Sequence, residues 1–299
     1  MTDNDSNQAG LAIAAHGRRG ILEDSAGNPR PYVVRSRQLR VVCGDRISWQ
    51  PGQSDEVTIV SIDNRRNALR RLDTGRHQTE ILAANLSLLA VVCARLPTPD
   101  WFVLDRYLCA AADMDATPVI VVNKSDTGLP AADELENYQR IGYPVLQVSA
   151  LAGTGLQALA EQFSGQTGIL VGQSGVGKTS LINRLIPGTE ADTATLSRSS
   201  AEGKHTTTAS VMHCLPDGGR LIDAPGVRDF LPVIDAQAAV QGGFPEISAA
   251  ALNCRFANCR HLREPECAVK TAMEEGQISP RRYESYRRML RQTQASASG

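Results

Sequence analysis

Gly172-Gln173-Ser174-Gly175-Val176-Gly177-Lys178-Thr179-Ser180 carries the spacing Gly-x-x-x-x-Gly-Lys-Thr, and its reading decides the fold. The apolar run Gly168-Ile169-Leu170-Val171 precedes it, and Leu181 to Ile186 follows at helical spacing, so the stretch joins a buried strand to a helix. That is the setting of a P-loop. Its glycines let backbone N–H groups turn inward around a triphosphate, the helix N-terminus adds its positive end, and Lys178 supplies a point charge to the outer phosphates. Thr179 is the expected Mg²⁺ ligand. A glycine-rich turn that matches by accident is the bland alternative, and the strand and helix on either side argue against it.

A second element names the base. Pro118-Val119-Ile120-Val121-Val122 reads as a buried strand, and Asn123-Lys124-Ser125-Asp126 stands directly after it. The Asp126 carboxylate suits the N1 and N2 donors of guanine, which adenine does not offer in that arrangement. Asn123 braces the site near N7 and O6, and the Lys124 stem covers the base. Polar groups left unpaired against adenine make such discrimination strong. One helix and one strand later, Val145 to Val148 ends in Ser149-Ala150, the place where a GTPase offers a backbone N–H to guanine O6. These residues also argue against a nucleotide-dependent metabolic kinase.

The order of these elements is unusual. Base-reading residues precede the phosphate loop, so the motifs are circularly permuted, with Gly153 to Gly165 as the join. A parallel sheet accommodates this when the old termini lie close together. Leu88 to Val92 reads as a further buried strand and Phe102 to Ala112 as a helix, which gives a parallel α/β domain. Beyond the phosphate loop, Pro187 to Ser210 has no sustained period and contains Gly203-Lys204-His205-Thr206-Thr207-Thr208. One threonine there, taken as Thr207, is a candidate Mg²⁺ ligand and γ-phosphate sensor. Gly219 to Ile222 then runs into Asp223-Ala224-Pro225-Gly226, where Asp223 would hold Mg²⁺ through water and Gly226 would bond the γ-phosphate. Val227 follows, where a water-orienting glutamine is usual. An apolar side chain cannot orient water, so unassisted turnover on the order of 10⁻³ s⁻¹ or slower is expected. His205 is the candidate to complete the catalytic site, against the alternative of a solvated loop histidine.

The remaining texture is of two kinds. From Leu11 to about Thr79, short runs such as Pro31 to Val34, Asp45 to Trp49 and Glu56 to Val60 alternate with Gly, Pro, Asn and Asp turns, which fits a five-stranded β-barrel of the OB type. Arg35, Arg37, Arg40 and Arg46, then Arg65, Arg66, Arg70, Arg71 and Arg76, give it local positive charge; RNA contact and a solvated surface are both open. Near the end, Cys254, Cys259, His261 and Cys267 form C-x₄-C-x-H-x₅-C, a Cys₃His set suited to one structural Zn²⁺. Cys43, Cys93, Cys109 and Cys214 lie among apolar residues and are expected in the core. Pro280 to Arg291 reads as a basic helix with two tyrosines, fitted equally to RNA or to packing on its own domain.

Lys and Arg total 31 against 32 Asp and Glu in 299 residues, so overall charge does not mark a nucleic-acid binder. The acidic start Met1 to Asn7 is unlike a signal peptide, and no apolar run approaches a membrane span. Seven cysteines without an export signal favour a reducing compartment. A soluble, cytoplasmic protein is expected, with no membrane partner. The division is residues 1–9 as a disordered tail, 10–82 as the barrel, 83–235 as the permuted domain, and 236–299 as a mostly helical zinc domain.

The whole layout resembles the bacterial ribosome-small-subunit-dependent GTPases of the YjeQ/RsgA type. The resemblance rests on the permuted order, on the Gly-Lys-His-Thr-Thr-Thr and Asp-x-Pro-Gly-Val segments, and on the Cys₃His spacing, and it covers about residues 10 to 295. It implies a late assembly factor that binds the 30S subunit and 16S rRNA, takes GTP with Mg²⁺, and hydrolyses it when the subunit stimulates it. Such a protein is expected to be a monomer when free. The competing reading is a guanine-nucleotide-controlled RNA-binding switch in which hydrolysis is incidental.

Overall fold

The computed structural model describes residues 7–52, 55–73, 78–186, 209–224, 230–234 and 237–297. Strands β1 (Gln8–His16), β2 (Arg19–Asp24), β3 (Pro29–Val33), β4 (Arg46–Gln50) and β5 (Val57–Ile62) form the barrel. β1 pairs with β2, β2 with β3, β3 with β5 in parallel, β5 with β4, and β4 back onto β1. The ring closes, which removes free strand edges. Its interior holds Leu22, Tyr32, Ile47, Trp49, Val57 and Ile59, supplied by alternate positions along the strands. Because β1 begins at Gln8, the expected disordered tail does not extend to residue 9: Gln8 and Ala9 pair with Trp49 and Ser48.

Past the barrel, β6 (Ala68–Asp73) and β7 (Gln78–Ala84) make a separate hairpin. Leu69, Leu82 and Ala83 lie outside the barrel interior and pack with Leu89, Leu104 and Tyr107, in a cluster that also takes in Cys43. Two of the arginines read as local positive charge are consumed in this joint. Arg65 grips the fully buried Asp45 at 2.7 and 2.8 Å, and Arg66 donates to the Leu86 carbonyl at 2.7 Å.

The central sheet follows from burial on both faces. Every residue of β8 (Leu88–Ala94) is buried: Leu89, Val91 and Cys93 face α1 (Trp101–Asp113) and α2 (Ala132–Arg140). Leu88, Ala90, Val92 and Ala94 face α3 (Leu156–Gln162) and α4 (Lys178–Leu185). A strand covered on both sides reads as a continuous apolar run. β9 (Thr117–Asn123), β10 (Val145–Gln147), β11 (Thr167–Val171) and β13 (Arg220–Asp223) run parallel to it in the order β10-β9-β8-β11-β13. β12 (Ser210–Cys214) lies antiparallel on β13 and also pairs with barrel strand β1, through Ala14 with Val211 and Ala15 with Ser210. Barrel and central sheet are thus one hydrogen-bonded surface. Cys43, Cys93 and Cys109 are buried, but Cys214 is exposed, contrary to expectation. It is the last residue of β12, where the strand leaves the sheet for the Pro216–Gly219 turn, and none of the described residues covers it.

The C-terminal part is helical: α5 (Gln237–Gly242), α6 (Pro245–Ala251), α7 (Ala268–Glu274) and α8 (Pro280–Ala297), around Val240, Phe244, Ile247, Tyr286 and Leu290. Much of the basic face of α8 turns inward. Arg282, fully buried, donates to Asp105 on α1 at 2.7 Å and to Glu246 on α6 at 2.8 and 2.9 Å. Its guanidinium lies 4.2 Å from the Phe244 ring centroid. Arg281 donates to the other Asp105 oxygen at 2.7 Å and to Glu134 on α2 at 2.8 Å, and Arg288 covers Phe102 at 3.8 Å. Burial alone disfavours the charge of Arg282, but Asp105 and Glu246 more than offset it and keep the group protonated. Arg282→Ala strands the buried Glu246 carboxylate and leaves Asp105 with Arg281 as its one arginine among the described residues, which costs about 3–5 kcal/mol by analogy with other broken buried pairs. Urea unfolding of the variant measures this; a loss below about 1 kcal/mol, the range of an exposed pair, means that water reaches the cluster.

Candidate nucleotide and metal sites

Parallel strands place their C-terminal ends on one edge, and the sequence direction reverses between β8 and β11, the position where open α/β sheets bind ligands. Five segments meet there: Gly172–Gly177 after β11, Asp223 at the end of β13, Asn123–Asp126 after β9, Ser149–Ala150 after β10, and Arg95–Asp100 after β8.

The phosphate loop needs its glycines for space as well as for φ. Gly172 has φ 136°, and a Cβ there would collide with the Val92 carbonyl oxygen; Gly177, at φ 93°, would collide with the Asn123 amide. Lys178 opens α4 with its side chain buried, and its Nζ donates to the Gly172 and Gln173 carbonyls at 2.6 and 2.7 Å. The ammonium is therefore folded across the mouth of the loop, beside the positive end of the helix. Val176 is buried beneath, while Ser174, Gly175, Thr179 and Ser180 are exposed.

Asn123 joins three motifs. Its Nδ2 donates to the Val176 carbonyl at 2.9 Å, and its Oδ1 accepts from the Ala150 N–H at 3.2 Å, with the side chain 1% exposed. This one buried amide holds the phosphate loop and the Ser149-Ala150 segment against the base-reading turn. Lys124 sits in the left-handed region at φ 59° and donates to the Gly175 carbonyl at 2.6 Å and the Leu96 carbonyl at 3.1 Å, so its stem spans the same mouth. Ser125 donates its N–H to the Val148 carbonyl at 3.1 Å. Asp126 is exposed, and its Oδ1 accepts from the hydroxyl of buried Ser149, which orients the carboxylate. Sequence reading used Ser149 only for its backbone; the hydroxyl contact needed the tertiary structure.

Arg95–Asp100 is the part of the site that sequence reasoning missed. Gln173 Oε1 accepts from the Asp100 N–H at 2.9 Å, and Asp100 caps α1 by accepting from Phe102 and Val103. The phosphate loop is thereby tied to the helix that carries Asp105. Only the Asp100 capping position ahead of an apolar helix carried any signal of this. Gly226, Val227, His205 and Thr206 to Thr208 lie outside the described residues.

The second cluster lies between α6 and α7. One ligand atom from each of Cys254, Cys259, His261 and Cys267 falls within 4.8 Å of the others. Cys254 and Cys267 sulfurs are 3.9 Å apart, and each is 3.5 Å from His261 Nδ1. Sulfurs around a tetrahedral ion with bonds of about 2.3 Å lie about 3.8 Å apart, so the donor set fits a four-coordinate metal. Glu264 shapes the turn by accepting the N–H groups of Arg260, Leu262 and Arg263 at 2.8–2.9 Å. Burial would raise its pKa, but the backbone donors prevail and hold it at about 2. Tyr283 of α8 donates to the His261 carbonyl at 2.6 Å, seating the knuckle on the helix.

This geometry predicts that Asp126→Asn, which exchanges one acceptor oxygen for a donor, lowers GTP affinity about a hundredfold, the worth of two charge-assisted hydrogen bonds. Titration with a fluorescent guanine nucleotide measures it, and a loss under about threefold would move base recognition elsewhere.

A family model described as RsgA GTPase matches residues 62–231. A protein of Azotobacter vinelandii named small ribosomal subunit biogenesis GTPase RsgA is 40% identical over 294 residues, covering 95% of this chain and 85% of its own. A relative of the same name in Pseudomonas savastanoi pv. phaseolicola is 39% identical over 292 residues, with the same coverage. The crystal structure of YjeQ from Thermotoga maritima superposes with a TM-score of 0.72 at 27% identity, over 96% of this chain and 99% of that one. YloQ, a circularly permuted GTPase, shares the fold with a TM-score of 0.72 at 23% identity, over 99% of this chain and 98% of its own. With the permuted motifs gathered at one sheet edge and a relative this similar along nearly its whole length, the chain belongs to the RsgA GTPase family.

Proposed function

We propose that this protein hydrolyses GTP to GDP and phosphate as a late maturation factor of the small ribosomal subunit, that it binds the subunit and its 16S rRNA, and that the subunit stimulates it. The observation that carries the reading is Asn123, whose buried amide brings base-reading residues and a phosphate loop into one site despite their reversed order in the chain. In this reading Asp126 selects guanine, Lys178 and the N-terminus of α4 hold the phosphates, and Thr179 and Asp223 hold Mg²⁺, which neutralises phosphate charge when bound. Thr207 as a further ligand, Gly226 at the γ-phosphate and His205 as the catalytic group complete it.

Labour divides among three parts, barrel, nucleotide domain and metal-bearing helices. We assign Zn²⁺ to Cys254, Cys259, His261 and Cys267 in a structural role, since four protein donors leave no place for a reacting water. We propose a cytoplasmic protein, monomeric when free; among the described residues no helix is long and apolar enough to cross a membrane. For RNA, the barrel is the better candidate, because Arg281, Arg282 and Arg288 of α8 are engaged within the protein.

Hydrolysis with purified small subunits, with large subunits and with neither tests the reading. Stimulation of about a hundredfold or more by small subunits alone is the expected result, comparable in kind to other assisted GTPases. No stimulation with GTP binding intact would overturn the ribosomal role and leave a guanine-nucleotide switch. For the metal, elemental analysis should give one zinc per chain in the wild type and less than about a tenth of that in Cys259→Ser, with a lowered melting temperature. Full zinc in the variant would remove Cys259 from the ligand set.

A further inference from the structure

The face of α8 that meets the Cys₃His knuckle carries two tyrosines three residues apart, Tyr283 and Tyr286, which helical geometry sets side by side. The Tyr283 hydroxyl is already used: it donates to the His261 carbonyl at 2.6 Å. Tyr286 is fully buried. Its ring is held edge-on to Phe244, with centroids 5.5 Å apart, and beside the His261 ring at 6.1 Å. One turn earlier Arg282 pins the helix to Asp105 and Glu246, so packing fixes where the Tyr286 hydroxyl lies. Yet among the described residues no donor or acceptor stands in hydrogen-bond geometry to that hydroxyl. The Gln241 amide of α5 comes near it without that geometry. A hydroxyl buried without a partner is costly, and most buried polar groups have one.

The surroundings of this hydroxyl contain sulfurs whose acceptor strength depends on their charge. Cys259 and Cys267 share the apolar cluster that holds Tyr286, and both are near enough for charge on them to act on the phenol, Cys259 more than Cys267. A thiol is a weak acceptor, whereas a thiolate accepts a short, charge-assisted bond. Metals take cysteine as thiolate, so three thiolates and a neutral imidazole around a divalent ion leave one net negative charge. Cys254 is half-buried and can turn part of that charge toward solvent, but Cys259 and Cys267 are buried. Of the two tyrosine hydroxyls that α8 sets against the knuckle, Tyr283 is committed to a carbonyl, which leaves Tyr286.

We infer that Tyr286 donates its hydroxyl hydrogen to the Cys259 sulfur when the knuckle holds its metal, and that this bond sets the affinity of the site. It rests on the assignment of Zn²⁺ to the same four residues. The bond spreads charge from a sulfur that the interior otherwise leaves unsolvated, and partners of this kind are worth about 10–100-fold in metal affinity. It also gives the buried hydroxyl the partner it lacks among neutral groups. Tyr286 stands on the helix whose Arg281 reaches Glu134 of α2 and whose Arg282 reaches Asp105 of α1. A loaded knuckle thereby braces the helix that follows the base-reading turn, and whatever metal adds to the seating of α8 returns as metal affinity.

The test uses the full chain and Tyr286→Phe, which removes one oxygen that has no hydrogen bond to lose, with Tyr283→Phe for comparison. Metal is stripped from each protein, cobalt(II) is titrated in as a spectroscopic probe, and zinc affinity is then measured in competition with a chelator. The wild type should show the intense visible bands of a four-coordinate cobalt site and a thiolate-to-cobalt charge-transfer band in the near ultraviolet. In Tyr286→Phe that band should move to longer wavelength, because a sulfur relieved of a hydrogen bond gives up charge more readily. Zinc affinity should fall about tenfold or more. Tyr283→Phe, whose bond goes to a carbonyl, should leave the band in place. A charge-transfer band at the wild-type position in Tyr286→Phe overturns the inference whatever the affinity, and leaves Tyr286 a packing residue. Zinc affinity within about twofold of wild type overturns it too. A band that moves equally in Tyr283→Phe also overturns it, since the effect would then belong to the seating of α8. Wild-type protein that forms no four-coordinate cobalt site would instead remove the zinc assignment itself, and the role of Tyr286 with it.

Discussion

In a parallel sheet every strand ends on the same edge, and the nucleotide site of this protein exists because five strands do so. The order β10-β9-β8-β11-β13 brings strand ends as far apart in the chain as Ala94 and Asp223 to one line of loops. Chain order is irrelevant to that edge as long as each connection can be made. A permuted sequence thus reaches the same arrangement of phosphate loop, base-reading turn and Asp223 as an unpermuted one would. β8 bears most of this constraint: it lies at the centre with all seven residues buried, between β9, which runs into Asn123–Asp126, and β11, which runs into Gly172–Gly177.

The side chains that lock the edge are few and buried. Asn123 joins loops from three strands, and Lys124 and Gln173 tie the mouth of the phosphate loop to Leu96 and Asp100. From there α1 carries the connection outward. Asp105, Arg106 and Tyr107 are consecutive on it and engage α8, Pro232 and Phe230 respectively. Helical geometry sends neighbouring side chains in different directions, so one turn of α1 can hold both the C-terminal helices and the chain leaving Asp223. Arg282 then fixes that helix to α8 in a site where desolvation is repaid by two carboxylates and an aromatic face. The same helix seats the Cys₃His knuckle through Tyr283, so knuckle and nucleotide site share a support in α1 and α8.

The barrel is attached by two register pairs between β1 and β12, by the Ala84 N–H and the Asn85 amide on the Cys43 and Gly44 carbonyls, and by Arg220 of β13 on Glu23 of β2. A bulge between Ala12 and Ala14 lets β1 pair with β2, β4 and β12 along different parts of its length. This makes the barrel a continuation of the central sheet, which composition and turn signals could not indicate. They did indicate five short strands with turns between them. They did not separate the β6–β7 hairpin from the barrel, because its alternation is the same and only the destination of Leu69, Leu82 and Ala83 differs.

By itself the sequence determined whatever depends on local spacing. Glycines at 172 and 177 followed by Lys178, a strand running into Asn123 to Asp126, and four metal donors within one short segment each encode their chemistry within a few residues of chain. The buried strands were legible because a strand covered on both faces is apolar without interruption. Only the tertiary structure decided which arginines are available. Arg65, Arg281 and Arg282 look no different in sequence from Arg37 and Arg40, yet the first three meet Asp45, Asp105 or Glu246 across 20 to 177 positions, and the last two face an open groove. A charge is spent or free according to its partner, and the partner is chosen by packing between distant elements, which no local pattern records.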